Sequence, residues 1–336
     1  MKTYDLHSHA VPRTIIDAML KEPERFDAKG QSGNGVKTVE REGKPYFENN
    51  GRLSAIDLEL YEVDAKIEAM NRMRIDVSAL SVAPPTYFYY LKADDGLYAS
   101  KLSNDGIAQM VAKSPERLRG MATLPMQDPD AAIVELERCV KEYGFKAVEL
   151  GSSIEREQLS LPKFRKVLKT IEQLGCFIFI HPYQCTAKGG MEGFELFNTI
   201  GFPLDEVIMV AHLMFSGALD DLKDLNILIA HGGGFSPYQL GRFQCAFDNR
   251  ASVRVNTQTP PRELFKRFYF DALTHDPDSL RLLIERVGAD HIAIGTDNPF
   301  DMGYFDPLAE LAKLKTLTPH ERECICCGTA KKLLCE

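Results

Sequence analysis

Nowhere does the sequence hold the roughly 18 uninterrupted apolar residues that a membrane-spanning helix needs. Its first twenty residues also lack the basic stretch and apolar core of an export signal, so a cytoplasmic protein is expected. Positive charge is short: 40 Lys and Arg stand against 48 Asp and Glu, and the net charge of −8 argues against a nucleic-acid or anionic-membrane partner. A small-molecule partner is expected instead. The chain contains no G-x-G-x-x-G, no P-loop, no G-x-S-x-G nucleophile elbow and no long internal repeat. Those absences remove the common dinucleotide, nucleoside-triphosphate and serine-esterase chemistries. Cysteine is present but uninformative: Cys139 and Cys176 sit in apolar runs, and no second pair follows Cys324, Cys326 and Cys327 at zinc-finger spacing.

What is present is a rhythm. Short apolar runs occur at Tyr4 to His9, Val77 to Ala83, Gly120 to Met126, Ala147 to Gly151, Phe177 to Pro182, Asn226 to His231, Phe268 to Ala272 and His291 to Asp297. They are β-branched or aromatic and nearly continuous in apolar character, as strands buried on both faces must be. Between them lie capped helical stretches, among them one opened by Asp128-Pro129 and running to Tyr143, and one from Ser160 to Leu174 stopped by Gly175. Eight strands alternating with helices predict an α/β fold, a (β/α)₈ TIM barrel, for which about 250 residues suffice. A single domain over residues 1–336 accommodates the chain. The segment from about Lys21 to Ala55 breaks the rhythm, being polar and rich in Gly30, Gly33, Gly35 and Asn49-Asn50-Gly51. Val36 to Val39 and Pro45 to Phe47 predict a hairpin about Glu42-Gly43. As an insertion after the first strand, residues 21–55 would form a lid over the active-site mouth.

The polar residues at the ends of the strands carry the chemistry. His7 and His9 end the first, His181 the fifth, His231 the sixth and Asp297 the eighth, and in a barrel such C-terminal ends converge on one rim. Residues two apart on a strand share a face, so His7 and His9 point together. By the same alternation His181 stands above Phe177 and Phe179, His231 above Ile227 and Ile229, and Asp297 above Ala293 and Gly295. Three imidazoles and a carboxylate suit one divalent ion such as Zn²⁺, leaving a fifth group to move protons. His212 and His275 have no strand-end position and read as structural or surface residues. Gly232-Gly233-Gly234 after His231 allow a sharp turn and a close backbone approach to a metal or substrate.

His7-Ser8-His9, His181-Pro182, His231-Gly232-Gly233-Gly234 and Gly295-Thr296-Asp297 with Pro299-Phe300 together resemble the amidohydrolase superfamily, in its branch of metal-dependent decarboxylases. Met121 to Asp128 and Leu240-Gly241-Arg242 extend the likeness over nearly the whole chain. The resemblance implies a distorted barrel with Zn²⁺ held by His7, His9, His181 and Asp297, and His231 as catalytic acid/base. It further implies a homodimer in which Arg242 reaches a substrate carboxylate, with a second carboxylate-binding arginine in the insertion, for which Arg52 is the nearest candidate. Arg52 is displaced by about two positions from the family pattern. Tyr183-Gln184 stands where that pattern has Trp-Asp, Asn298 where it has Tyr, and the chain holds no Trp at all. The expected reaction is non-oxidative decarboxylation of an unsaturated or aromatic carboxylic acid. Hydrolysis of an amide, lactone or ester is the alternative on the same scaffold.

Overall fold

A computed structural model describes residues 1–26, 35–49, 52–187 and 189–336. Eight parallel strands form one sheet in the order β1 (Tyr4–Ala10), β5 (Val77–Val82), β6 (Leu118–Thr123), β7 (Ala147–Gly151), β10 (Phe177–His181), β11 (Ile227–Ile229), β12 (Phe268–Asp271) and β13 (Ile292–Ala293). Parallel bridges Asp5 to Ile294 and Ser8 to Asn298 bring the last strand back to the first, so the sheet closes as a TIM barrel. Helices such as Val63–Met73, Ala93–Lys113 and Pro129–Arg138 follow successive strands and cover the outside. Asp128 opens the last of these by accepting hydrogen bonds from the Asp130 and Ala131 amides, and Pro129 supplies a fixed φ at its first position.

Side chains alternate between two apolar layers. Phe177, Phe179, Leu228, Ala230, Met121 and Ala293 fill the barrel interior, whereas Ile178, Ile180, Ile227 and Ile229 pack under the helices. Burying both faces explains the unbroken apolar runs. The third and eighth apolar runs extend further towards their C-termini than the strands do. Pro125 cannot donate to a ladder, and β6 ends at Thr123; the regular ladder of the eighth run ends at Ala293, beyond which Ile294 to Asn298 keep only irregular bonds to β1.

Beyond the short helix Pro23–Phe26, the described part of the insertion is an antiparallel sheet of β2 (Lys37–Arg41), β3 (Lys44–Asn49) and β4 (Arg52–Ala55). Glu42 and Gly43 both have positive φ, 51° and 74°, as a two-residue hairpin turn requires. The third strand, Arg52–Ala55, lies beyond the hairpin that the sequence predicts. Gly30, Gly33, Asn50 and Gly51 lie outside the described residues. Val36 and Phe47 tie this sheet to the body by packing with Phe26, Phe88 and Tyr90. A further hairpin of β8 (Ser153–Ile154) and β9 (Glu157–Gln158) follows β7. All eight cysteines are free thiols.

Candidate metal centre and active site

His7 and His9 are aimed by an irregularity in β1. Asp5 pairs with Ser78 but Ser8 with Leu80, so β1 holds one extra residue there. Such a bulge resets the alternation, letting Tyr4 and Leu6 fill the barrel interior while His7 and His9 face its upper end. His7 lies 4.8 Å from Phe179, ring to ring, and both histidine rings lie 5.0 Å from that of His181. His181 follows the alternation of β10 as expected.

His231 and Asp297 arrive differently. Ile227 and Ile229 face the helices, so strand alternation would have sent His231 outward. The residue instead lies beyond β11 with a φ of +50°, and this left-handed turn swings its ring to 4.9 Å from His181 and 5.2 Å from His7. Asp297 likewise lies past β13 with a φ of +57°. The glycines after His231 serve this turn. A Cβ on Gly233 would meet the Phe270 ring at 2.6 Å, and one on Gly234 the Pro203 carbonyl oxygen at 2.4 Å. Their close approach is to the protein's own backbone and core.

His7, His9, His181 and Asp297 each present one ligand atom, and these four atoms lie within 4.8 Å of one another in a buried spot. The outer ring nitrogens explain why. His7 Nδ1 donates to Asp271 Oδ2 at 2.6 Å, His9 Nδ1 to the Val82 carbonyl at 3.1 Å and His181 Nδ1 to the Pro182 carbonyl at 2.6 Å. Each bond fixes the tautomer that leaves Nε2 as a lone pair facing the centre. His7 Nε2 and His9 Nε2 are consequently 3.1 Å apart, while His181 Nε2 and Asp297 Oδ1 are buried with no hydrogen-bond partner. Convergent lone pairs in a dry place demand a positive charge. Titration tendencies agree: burial opposes charging His7, yet Asp297 and Asp271 lift it to about 9, and the neighbouring imidazoles hold Asp297 well below the usual carboxylate range against its burial. Burial and the surrounding histidines keep His181 neutral. The donor set fits one divalent cation.

Three further residues, which no sequence motif singles out, complete the site. Asp271 ends β12; besides His7 it accepts from the amides of His231 at 3.0 Å, Gly232 at 2.9 Å and Leu273 at 3.1 Å. A single acid inside the run Phe-Tyr-Phe-Asp-Ala-Leu was its signal. Glu206, buried on the helix Phe202–Phe215, binds His231 Nδ1 at 2.8 Å, and only the fold brings it there. Lys66, fully buried, donates to Ser8 Oγ, the His9 carbonyl and Asn298 Oδ1 at 3.2, 3.0 and 2.6 Å. Asn298 is therefore an anchor behind β1 and no pocket residue. Tyr183 does line the pocket, whereas Gln184 is buried against Glu155 at 3.2 Å.

Above the cluster opens a cavity of about 480 Å³ whose wall includes Pro84, Phe88, Tyr90, Tyr183, Phe202 and Phe300, together with Val36 and Asn49 of the insertion. His181, His231 and Asp297 form its floor. His275, expected to be structural or surface, is on this wall; the turn after β12 places it there. Arg52 is not: its side chain is 78% exposed and lies 3.8 Å from Glu195. Arg242 is exposed on the helix Ser236–Asn249, also off the wall.

The chain is 31% identical over 280 residues to 2-amino-3-carboxymuconate-6-semialdehyde decarboxylase of Dictyostelium discoideum, covering 83% of this chain and 78% of that one. It is 27% identical over 287 residues to gamma-resorcylate decarboxylase of a Polaromonas strain, covering 80% and 86%. A Polaromonas dihydroxybenzoic acid decarboxylase, solved with bound manganese and the inhibitor 2-nitroresorcinol, superposes with a TM-score of 0.78 at 23% identity, over 99% of this chain and 96% of that one. Residues 4–334 match the amidohydrolase family model, and with this barrel and this histidine and aspartate cluster at its rim, the chain belongs to the amidohydrolase family.

Proposed function

We propose that the protein is a metal-dependent decarboxylase that removes CO₂ without oxidation from an unsaturated or aromatic carboxylic acid. The observation that carries this reading is a buried cation site beneath an aromatic cavity, with one histidine beside it that has a carboxylate partner of its own. His7, His9, His181 and Asp297 would hold the ion, and zinc suits their borderline donor set. When bound, the ion supplies Lewis-acid polarisation of a substrate oxygen next to the carboxylate.

His231 does the proton work. Its Nδ1 is engaged by Glu206, which leaves Nε2 for the cavity, and burial there is outweighed by Glu206 and Asp297, so the ring is held well above its ordinary pKa. A protonated Nε2 can deliver its proton to the carbon that bears the carboxylate; the C–C bond then breaks, its electron pair returns to the ring or alkene, and neutral CO₂ leaves. The apolar wall favours that exchange, since a carboxylate is poorly solvated there and CO₂ is not.

The sheet β2–β4 belongs to one domain with the barrel and acts as a lid, contributing Val36 and Asn49 to the wall. A homodimer is the active form, in which Arg242 binds a carboxylate in the neighbouring site and Arg52 binds one from the lid. Supporting this, Tyr238 is 77% exposed and lies one helical turn before Arg242, so both present one face to a second copy. Mixing a His231→Ala variant with an Arg242→Ala variant tests it: recovered turnover supports shared sites, and none removes Arg242 from the site. The reaction class is tested by incubating the metal-loaded enzyme with hydroxybenzoates in ¹⁸O-water. CO₂ release from these acids is expected; no CO₂ from them, with ¹⁸O entering the acid formed from an aryl amide, ester or lactone offered in the same water, would assign hydrolysis instead. Elemental analysis of enzyme purified without chelators is expected to find zinc at one ion per chain, with manganese as the contrary result.

A further inference from the structure

The barrel closes between its last strand and β1 with little regular ladder. On its other side β1 pairs residue by residue with β5, His9 lying opposite Ser81. At the closing seam β13 ends at Ala293, and the bonds around the site are irregular: the Thr296 and Asp297 amides donate to the His7 carbonyl at 3.2 and 2.8 Å, and the His9 amide to the Asn298 carbonyl at 3.0 Å. His7, His9 and Asp297, three of the four residues of the cation cluster, sit on this seam. Buried side chains reinforce it. At its lower end Asp5 accepts from the Thr296 amide at 3.1 Å, the Thr296 hydroxyl at 2.7 Å and, inside the β1 bulge, the His7 amide at 3.0 Å.

At the upper end stands Lys66, fully buried on the helix Val63–Met73. Its three acceptors, Ser8 Oγ, the His9 carbonyl and Asn298 Oδ1, each belong to a residue of the cluster or to one directly beside it. None of the three is a carboxylate. A buried ammonium held only by neutral acceptors carries a large desolvation penalty, and a methionine would fill the same space without it. What methionine cannot do is bind the end of β1 and the Asp297-Asn298 turn at once. The Asn298 amide nitrogen goes on to Glu59 Oε2 at 2.7 Å, which keeps its oxygen turned to Lys66. Across the seam so held, Asp297 Oδ1 lies 3.3 Å from His7 Nε2 and 3.1 Å from His9 Nε2.

We propose that Lys66 is a positioning residue for the cation site: by tying Asn298 to Ser8 and to the His9 carbonyl, it fixes the spacing between Asp297 and the two histidines of β1 and so raises the site's affinity for a divalent ion. Ligands held at their spacing before the ion arrives lose less freedom on binding it. Lys66 is not on the cavity wall and acts only through these neighbours. The inference rests on the metal-binding part of the function proposed above and is independent of the reaction.

The test is titration of the metal-free protein with Zn²⁺ and with Mn²⁺ in competition with a chelating dye, for wild type, Lys66→Met, Asn298→Ala and the double variant. Each single variant should bind both ions about 10- to 100-fold more weakly than wild type. Because the two changes cut the same link, their losses should not add in the double variant. Arg138→Met is the control for a merely structural role. That arginine donates to Glu135, Asp105 and Tyr143, away from the seam, so its loss should lower the urea midpoint of the metal-free protein and leave both affinities as in wild type. Should Lys66→Met not fold, Asn298→Ala cuts the link from the other side in a protein that keeps its lysine. Unchanged affinity in either single variant, additive losses in the double variant, or an equal loss in Arg138→Met would overturn the role of Lys66 and leave the cation site standing. A wild type that binds neither ion would sink the cation site, and this inference with it.

Discussion

The two halves of the site are built in opposite ways. His7, His9 and His181 extend straight from β1 and β10 and are at most 4% exposed; Asp297, 6% exposed beside them, is the one member of this half that comes from a left-handed turn. His231 and His275 ride on left-handed turns after β11 and β12 and reach the cavity, the His231 side chain being 19% exposed. The first half suits a group that must never move, since strands in a closed barrel have every backbone group paired. The second suits groups that must meet a changing ligand. Asp271 spans the divide, bonding His7 in one half and the His231 and Gly232 amides in the other.

Substitutions should separate the halves, the largest effect coming from the buried one. His181→Ala removes a lone pair from the cluster, and both bound metal and turnover should be lost, as read by elemental analysis and CO₂ release; a variant that keeps its metal would exclude His181 as a ligand. His231→Ala should keep its metal and lose about 10²- to 10⁴-fold in kcat, the range of a proton-transferring side chain. If metal content fell with it, the division of labour between the halves would be wrong. Asp271→Asn should lower metal affinity and kcat together, by about 10- to 100-fold each, because it supports both sides. An effect confined to one of them would place Asp271 in a single half.

The smallest effect should lie outside the site altogether. Glu321 caps the helix Pro319–Glu323 and pairs with Arg281 at 2.7 Å, and that bond, against slight burial, pulls its pKa down to about 2. A carboxyl depressed in the folded state contributes stability above its unfolded pKa of about 4.3, and the contribution fades as pH falls from there through about 2. Glu321→Gln should cost less than about 1 kcal/mol at pH 7, the cost should shrink below pH 4 in urea unfolding, and metal content and kcat should stay unchanged. A change in either would mean that the site senses stability from afar.

The same division governs how much could be read in advance. Periodicity located every barrel strand, because a parallel strand buried on both faces has to be apolar throughout. His7, His9 and His181 were legible as strand-end residues for that reason, although the bulge that aims the first two was not. The alternation of β11 has the opposite phase to the one that would aim His231 inward, since Leu228 and Ala230 face the barrel interior and Ile227 and Ile229 the helices. His231 reaches its neighbours only because three glycines permit a turn that no period encodes. His275 was passed over since nothing in Leu-Thr-His-Asp-Pro tells a surface turn from a pocket wall. Glu206 lies 25 residues before its partner and in ordinary helical surroundings.

By itself, then, the sequence determined the barrel, its family and the set of residues able to bind a cation, since apolar period and residue type are local properties that each stretch carries with it. The tertiary structure alone decided which lone pairs converge, which histidine keeps a carboxylate behind it, and that Asn298 turns to Lys66 while His275 faces the cavity. Those are matters of direction, and direction depends on turns, a bulge and side chains brought together from distant parts of the chain.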